Sequence, residues 1–272
     1  MGIVSIIKAP LRKIKQIGIS FNKKFVLPKK VKRYFKKHPE LKRNLASYKN
    51  LHKGERCFII GNGPSLRAED LTKIKNEVCF ASNFIGKIFD KTEWRPTYFA
   101  VMDPGYIKNY LDEFLQYEKK EMFVAVYADS FNSAKRYFSN EKITFCHLTH
   151  GIKGIPKFSN DAYNLMYGGH SVTYCLLQLA VYMGFKEIYL LGVDNNYSTN
   201  MSFKKVIGQG SKNDHFYSNG DKQTRANVGG MTNAFIAAKD FADKNNIKIY
   251  NATRGGKLEV FERVNFDEIK TK

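Results

Sequence analysis

Two histidines stand where a proton could be moved. His215 lies in Asn213-Asp214-His215-Phe216-Tyr217, inside a polar stretch, and His170 lies in Gly168-Gly169-His170-Ser171, just before an apolar run. A neutral imidazole near pH 7 can take the proton of an attacking hydroxyl. Each also has a plainer reading, His215 as a loop hydrogen-bonder and His170 as part of a helix-capping turn. The Gly-Gly pair and the helix start beside Ser171 make a ready phosphate site. No Ser-His-Asp order, zinc signature, His-Glu-x-x-His or metal-type Asp-x-Asp accompanies them.

A second stretch has the form of a ligand loop. Arg56 to Ile60 reads as a buried strand, Gly61-Asn62-Gly63-Pro64-Ser65 as a tight loop, and Asp70 to Lys75 as a helix. Strand, Gly-rich loop and helix in that order hold phosphates and nucleotides in doubly wound folds. Gly61 and Gly63 would allow positive φ and a close ligand, and Asn62 could bond a sugar or base. Leu66 stands where the third Gly of a dinucleotide fingerprint would be, and no Walker Gly-Lys-Thr follows. A plain strand-to-helix turn is the alternative.

The elements that must position these residues alternate regularly. Strands are expected at Cys57–Ile60, Val78–Ala81, Tyr98–Met102, Met122–Tyr127, Ile143–His147, Glu187–Leu191 and Ile247–Tyr250. Helices are expected at Lys108–Glu118, Ser133–Phe138, Ser171–Met183 and Thr224–Asn245. Residues 149–169 read as a loop. Residues 195–223, polar with Gly208, Gly210 and Gly220, read as a long loop or lid. The pattern implies an α/β fold, a Rossmann-like doubly wound, mainly parallel sheet with helices on both faces. Ligands bind such sheets at the C-terminal strand ends, which here carry Asn62, Asn83, Asp103, Asp129 and Asp194. Any one of these could instead be a helix cap or turn former.

Charge divides the chain. Of the net +20, residues 1–53 hold +15, from 16 Lys/Arg against the single acid Glu40, and the body from 54 to 272 holds +5. The first segment reads as a basic N-terminal arm. Ile3, Ile7, Leu11, Ile14 and Phe21 share a helical face among lysines and arginines, broken at Pro10. That mixture suits an interfacial helix on an anionic membrane; a nucleic-acid arm and a solvated tail are the rivals. Four scattered cysteines read as buried thiols of a reducing cytosol, with no metal site. No run of 18 apolar residues appears. The start lacks signal-peptide features, and Ile6 breaks a myristoylation pattern. The expected location is cytoplasmic, peripheral on the inner face of the cytoplasmic membrane.

Several of these residues recur as an ordered set. Gly61-Asn62-Gly63-Pro64-Ser65-Leu66, Ser82-Asn83-Phe84, Met102-Asp103-Pro104 and Gly184 through Asp194 together resemble the bacterial sialyltransferases of glycosyltransferase family 42. They also resemble the related domain-of-unknown-function 115 group, which includes motility accessory factors and an archaeal 6-hydroxymethylpterin diphosphokinase. The ending from Tyr250-Asn251-Ala252-Thr253 to Phe261 is similar to that second group. The resemblance covers roughly residues 54–265.

It implies a glycosyltransferase of surface-polysaccharide assembly, such as capsule or lipopolysaccharide, in a GT-A-like variant of the fold. The donor would be a nucleotide sugar of the CMP, nonulosonate-like type, and the acceptor a glycan or lipid-linked glycan. Asn62 and Asn83 are implied donor contacts, within a donor set of Gly61, Gly63, Pro64, Ser65, Asp103, His170, Ser171, Asp194, Tyr197 and Tyr217. Asp103 stands where the sialyltransferases have Asn. Ser171 matches a donor-contacting Ser after a one-residue gap, and Tyr197 falls one position from a Tyr that assists the leaving phosphate. His215-Phe216-Tyr217 matches a His-Tyr pair, but Asn219 stands where the family's catalytic His is expected. Either His215 serves as the base, with no cofactor or metal required, or the activity is not sialyl transfer. The other branch implies a diphosphokinase using ATP and Mg²⁺ on Asp103 and Asp194. A nucleic-acid-binding module is the reading of another class. Homo-oligomerisation is left open.

Overall fold

Short apolar runs form the middle of one sheet. The computed structural model describes residues 27–150, 156–202, 205–209, 215–216 and 226–272. β1 (Arg56–Ile60), β2 (Cys79–Ser82), β3 (Tyr98–Val101), β4 (Glu121–Val126) and β5 (Ile143–Thr149) pair successively in parallel. Their side chains are buried on both faces, which is why they read as continuous apolar runs instead of alternating ones. β6 (Met166–Tyr167) extends that edge. On the other side of β1 lie β7 (Glu187–Leu191), β10 (Lys248–Asn251) and β11 (Glu262–Arg263), also parallel. The nine strands run β11-β10-β7-β1-β2-β3-β4-β5-β6.

Helices connect the strands. α1 (Leu27–Lys37) precedes β1, and α2 (Ala68–Lys73), α3 (Pro104–Asn109), α4 (Leu111–Leu115) and α5 (Phe131–Lys135) lie in the β1-to-β5 half. α6 (Val172–Tyr182) returns the chain to β7, and α7 (Val228–Lys244) leads on to β10. The first half steps away from β1 in one direction and the second half in the other. Right-handed crossovers therefore put the two helix groups on opposite faces. The order reverses between β1 and β7, which makes their C-terminal ends the crevice of a doubly wound sheet.

Three features depart from the sequence reading. The expected helix over 108–118 is two short helices, split at Tyr110 (φ −134°). The stretch 195–223 is not all loop, because β8 (Ser198–Ser202) and β9 (Lys205–Gln209) form an antiparallel hairpin there. Residues 27–53 are packed on the body. Val31, Phe35, Leu41 and Leu45 are buried in its core, Tyr48 Oη donates to Glu121 at 3.0 Å, and His52 stacks on Phe185 at 4.5 Å. A boundary at residue 54 therefore does not follow the packing. The Ile-bearing face of residues 3–21 lies outside the described residues.

Candidate active site

The loop after β1 is bound to the loop after β7. Gly61 N–H donates to the Leu191 carbonyl and Gly63 N–H to the Gly192 carbonyl, both at 2.8 Å, which prolongs the β1–β7 ladder past the strand ends. Ser65 Oγ donates to Asp194 Oδ2 at 2.8 Å, and the Ser65 backbone also faces that carboxylate. Gly61 and Gly63 are not in the left-handed region. They are glycine for a different reason from the one expected. A methyl group at Gly61 would run into the Gly192 carbonyl, and one at Gly63 into the Asp194 carboxylate. Their amides are likewise committed to β7, so they do not form a phosphate cradle.

Asn62 and Asn83 sit at the ends of β1 and β2, which are neighbours in the sheet. Asn62 Nδ2 donates to the Ser82 carbonyl at 3.0 Å and ties the two ends together. Asn83 is held at φ 54°. Oδ1 of each is sealed from solvent and has no hydrogen-bond partner, and the same holds for Asn195 Oδ1, one residue beyond Asp194. A buried carbonyl oxygen without a partner costs about 1–3 kcal/mol, so these strand-end oxygens are candidate acceptors for a ligand's donors. Asn195 was not singled out in the sequence, although it follows Gly192-Val193-Asp194 directly.

His215 is brought to this place. Phe216 N–H donates to the Asn62 carbonyl at 3.0 Å, which sets His215 beside the β1 loop. Tyr217 lies outside the described residues. Asp103 caps α3, accepting from Gly105 N at 2.7 Å and Tyr106 N at 3.0 Å, as its plainer reading had it. Burial pushes the Tyr106 hydroxyl up to about 12, helped by the charge of Asp103. Burial also raises the Asp194 carboxyl, against the lowering effect of Ser65.

A second group gathers at β4 and β5. Gly168, Gly169 and His170 form the turn before α6, the last two in the left-handed region. Ser171 occupies the N-cap of α6 without a side-chain bond to it, so its hydroxyl does not cap the first-turn amides. His170 Nε2 lies 3.4 Å from Asn227 Nδ2, and Asn227 caps α7. His170 thus ties the α6 turn to the start of α7. Nearby, Tyr127 stacks face to face with His150 at 4.4 Å, and His150 Nε2 meets Asp129 Oδ2 at 3.3 Å. Asp129 is held below the usual carboxylate range by that imidazole. His150 was missed in the sequence because the strand was expected to stop at His147.

Asp103 and Asp194 do not meet. They follow β3 and β7, three strand spacings apart in the order β7-β1-β2-β3, or roughly 14 Å. Two ligands of one Mg²⁺, each at about 2 Å from the ion, cannot be that far apart. Among the described residues no three His, Cys, Asp or Glu side chains gather as a ligand set. All four cysteines are free and buried, and burial raises each thiol.

The sequence matches the MptE-like family, described as 6-hydroxymethylpterin diphosphokinase MptE-like, over residues 32–200. The chain belongs to the MptE-like family. The expected resemblance to that group therefore holds, and the match begins inside α1. Among solved structures, the MAf glycosyltransferase from Magnetospirillum magneticum AMB-1 is similar with a TM-score of 0.53 at 17% identity. The likeness covers 86% of this chain and 39% of that enzyme, so this chain spans well under half its length. The sialyltransferase CstII from Campylobacter jejuni, in complex with cytidine-5'-monophosphate, gives a TM-score of 0.47 at 17% identity over 78% of this chain and 85% of that one. Its complex with CMP-3FNeuAc gives 0.45 at 17% identity over 77% and 86%. No curated protein matches. At such identity the first of these structures speaks to the fold alone.

Proposed function

We propose that the chain is a glycosyltransferase that moves a sugar from a nucleotide sugar to a glycan acceptor of surface-polysaccharide assembly. The observation that carries this reading is the pair of buried, partnerless oxygens, Asn62 Oδ1 and Asn83 Oδ1, on adjacent strand ends beside the crevice. A ligand that brings N–H or O–H donors to them would supply the partners they lack. A nucleoside offers both, from its base amino group and its ribose hydroxyls, and a CMP-type donor is the one the sequence resemblance suggests.

In this reading the donor lies across the strand ends, with its nucleoside at Asn62 and Asn83. The acceptor hydroxyl attacks the anomeric carbon while His215, held beside Asn62 through Phe216, takes its proton. The leaving phosphate is met by the α6 N-terminus at Ser171 and by Tyr197. The Gly61 and Gly63 amides take no part, since β7 already holds them. No metal is needed in this scheme.

The family description raises a second reading, pyrophosphoryl transfer from ATP. The separation of Asp103 from Asp194 and their engagement with α3 and Ser65 count against a metal shared by these two. Thermal shift of the purified chain against CMP, UDP, GDP and ATP, with and without Mg²⁺, separates the two. A pyrimidine nucleotide raising Tm without Mg²⁺ supports glycosyl transfer. Stabilisation by ATP alone, and only with Mg²⁺, overturns it.

A further inference from the structure

α1 is a basic ridge fixed to the body. Its sequence, Leu27-Pro28-Lys29-Lys30-Val31-Lys32-Arg33-Tyr34-Phe35-Lys36-Lys37, has six Lys/Arg in eleven residues and no acid. Val31 and Phe35 are buried, and Tyr34 packs edge-on against Phe131 of α5 at 5.1 Å. With that face committed, Lys29, Lys30, Lys32, Arg33, Lys36 and Lys37 all stand exposed. None of the six has a carboxylate within ion-pair distance among the described residues.

The ridge also has a direction. Arg43 Nε donates to the Ile143 carbonyl at the start of β5, at 3.2 Å, whereas Phe35 stacks on His147, four residues further along that strand, at 5.5 Å. Passing from Arg43 back to Phe35 therefore climbs β5 towards its C-terminal end. α1 continues backwards from Phe35 for eight more residues, roughly 12 Å. Tyr34 and Phe35 of α1 thus meet Phe131, which follows the C-terminal end of β4, and His147, late in β5.

We propose that α1 is a docking surface for an anionic lipid membrane, and that docking turns the C-terminal strand ends towards the lipid headgroups. The ridge offers point charges along a line and no stacking platform, because its aromatic rings face the body. That suits a phosphate-covered plane better than the bases of a single-stranded nucleic acid. The docking surface does not depend on the catalytic reading. The corollary, that the acceptor is carried in the membrane, rests on the glycosyltransferase reading.

The test is co-sedimentation of the full chain with phosphatidylcholine vesicles containing 0% or 30% phosphatidylglycerol, at low salt and at high salt. One variant carries Lys29→Glu, Lys32→Glu, Arg33→Glu and Lys36→Glu. A control with the same net charge carries Lys75→Glu, Lys244→Glu, Lys248→Glu and Lys270→Glu, all at exposed positions elsewhere. Expected are salt-sensitive binding to the anionic vesicles only, at least a tenfold loss in the α1 variant, and a loss of threefold or less in the control. Equal binding by the α1 variant and wild type overturns the proposal. So does an equal loss in both variants, or binding to a 20-base-pair duplex without binding to vesicles.

Orientation is read with an environment-sensitive dye on Asn132→Cys, after β4, or on Lys120→Cys, before it. Labelling is selective because the four native thiols are buried. A larger vesicle-induced rise at residue 132 is expected, and a larger rise at residue 120 overturns the orientation. Nucleotide-induced thermal shifts in the α1 variant report on the catalytic reading separately.

Discussion

At the scale of single residues, the site is defined by amide oxygens that lack partners and by a carboxylate that has them. Asn83→Gly removes one oxygen and also relaxes the left-handed backbone at φ 54°. It is expected to keep Tm or raise it while weakening nucleotide binding by about 1–3 kcal/mol, read by calorimetry. Asn62→Ala should lose similar affinity and some stability as well, because Asn62 Nδ2 also holds the Ser82 carbonyl. Asp194 behaves differently. Burial raises its folded pKa, so the native state holds more protons than the unfolded chain from the ordinary carboxylate value upwards. Its contribution to stability therefore falls as pH rises through that window. Asp194→Asn keeps an oxygen for Ser65 Oγ and is expected to abolish this fall. Denaturant melts at pH 4 and pH 7 check it, and an unaltered difference between them would show that burial does not govern Asp194.

Between elements, two contacts hold the frame around the site. Arg254, after β10, forks onto Asp70 of α2 at 2.8 and 2.9 Å and also reaches Asp267. Asp70 is 2% exposed, so Arg254→Ala leaves a buried carboxylate without its cation and should cost about 3 kcal/mol in a denaturant melt. His147 joins β5 to α1 by stacking on Phe35, and burial lowers its pKa to about 4. The unfolded histidine takes its proton near pH 6.5, so stability is lost as pH falls from 6.5 towards 4, by at most about 3 kcal/mol. His147→Phe should flatten that limb of the stability profile. The longer elements were legible in the sequence: Glu187–Leu191 was read to the residue, and Val172–Tyr182 within one residue at each end. β6 and β11 were not, since two residues carry no periodicity. The β8–β9 hairpin was hidden because Ser198–Ser202 is mostly polar and lacks an apolar alternation.

For the molecule as a whole, the parallel sheet and its crevice followed from the alternation of apolar runs with helical stretches. The packing of residues 27–53 did not, because lysines dominate α1 and mask the pair Val31 and Phe35 that anchors it. Of the site, Asn62, Asn83, Asp194 and His215 were read in the sequence and are gathered around β1, β2 and β7. The positive φ expected of Gly61 and Gly63 was misread, because tight contact between loops also selects glycine. Fold and family leave two chemistries in play, glycosyl transfer and pyrophosphoryl transfer, and turnover separates them. The most direct measurement incubates the chain with CMP-, UDP- and GDP-sugars and follows release of free nucleotide, in wild type, His215→Ala and His170→Ala. Expected are release from one nucleotide sugar by wild type, a fall of about 10²–10⁴ in rate with donor affinity kept in His215→Ala, and a smaller effect on rate in His170→Ala. No release from any nucleotide sugar, together with Mg²⁺-dependent consumption of ATP on a hydroxymethylpterin, would contradict glycosyl transfer.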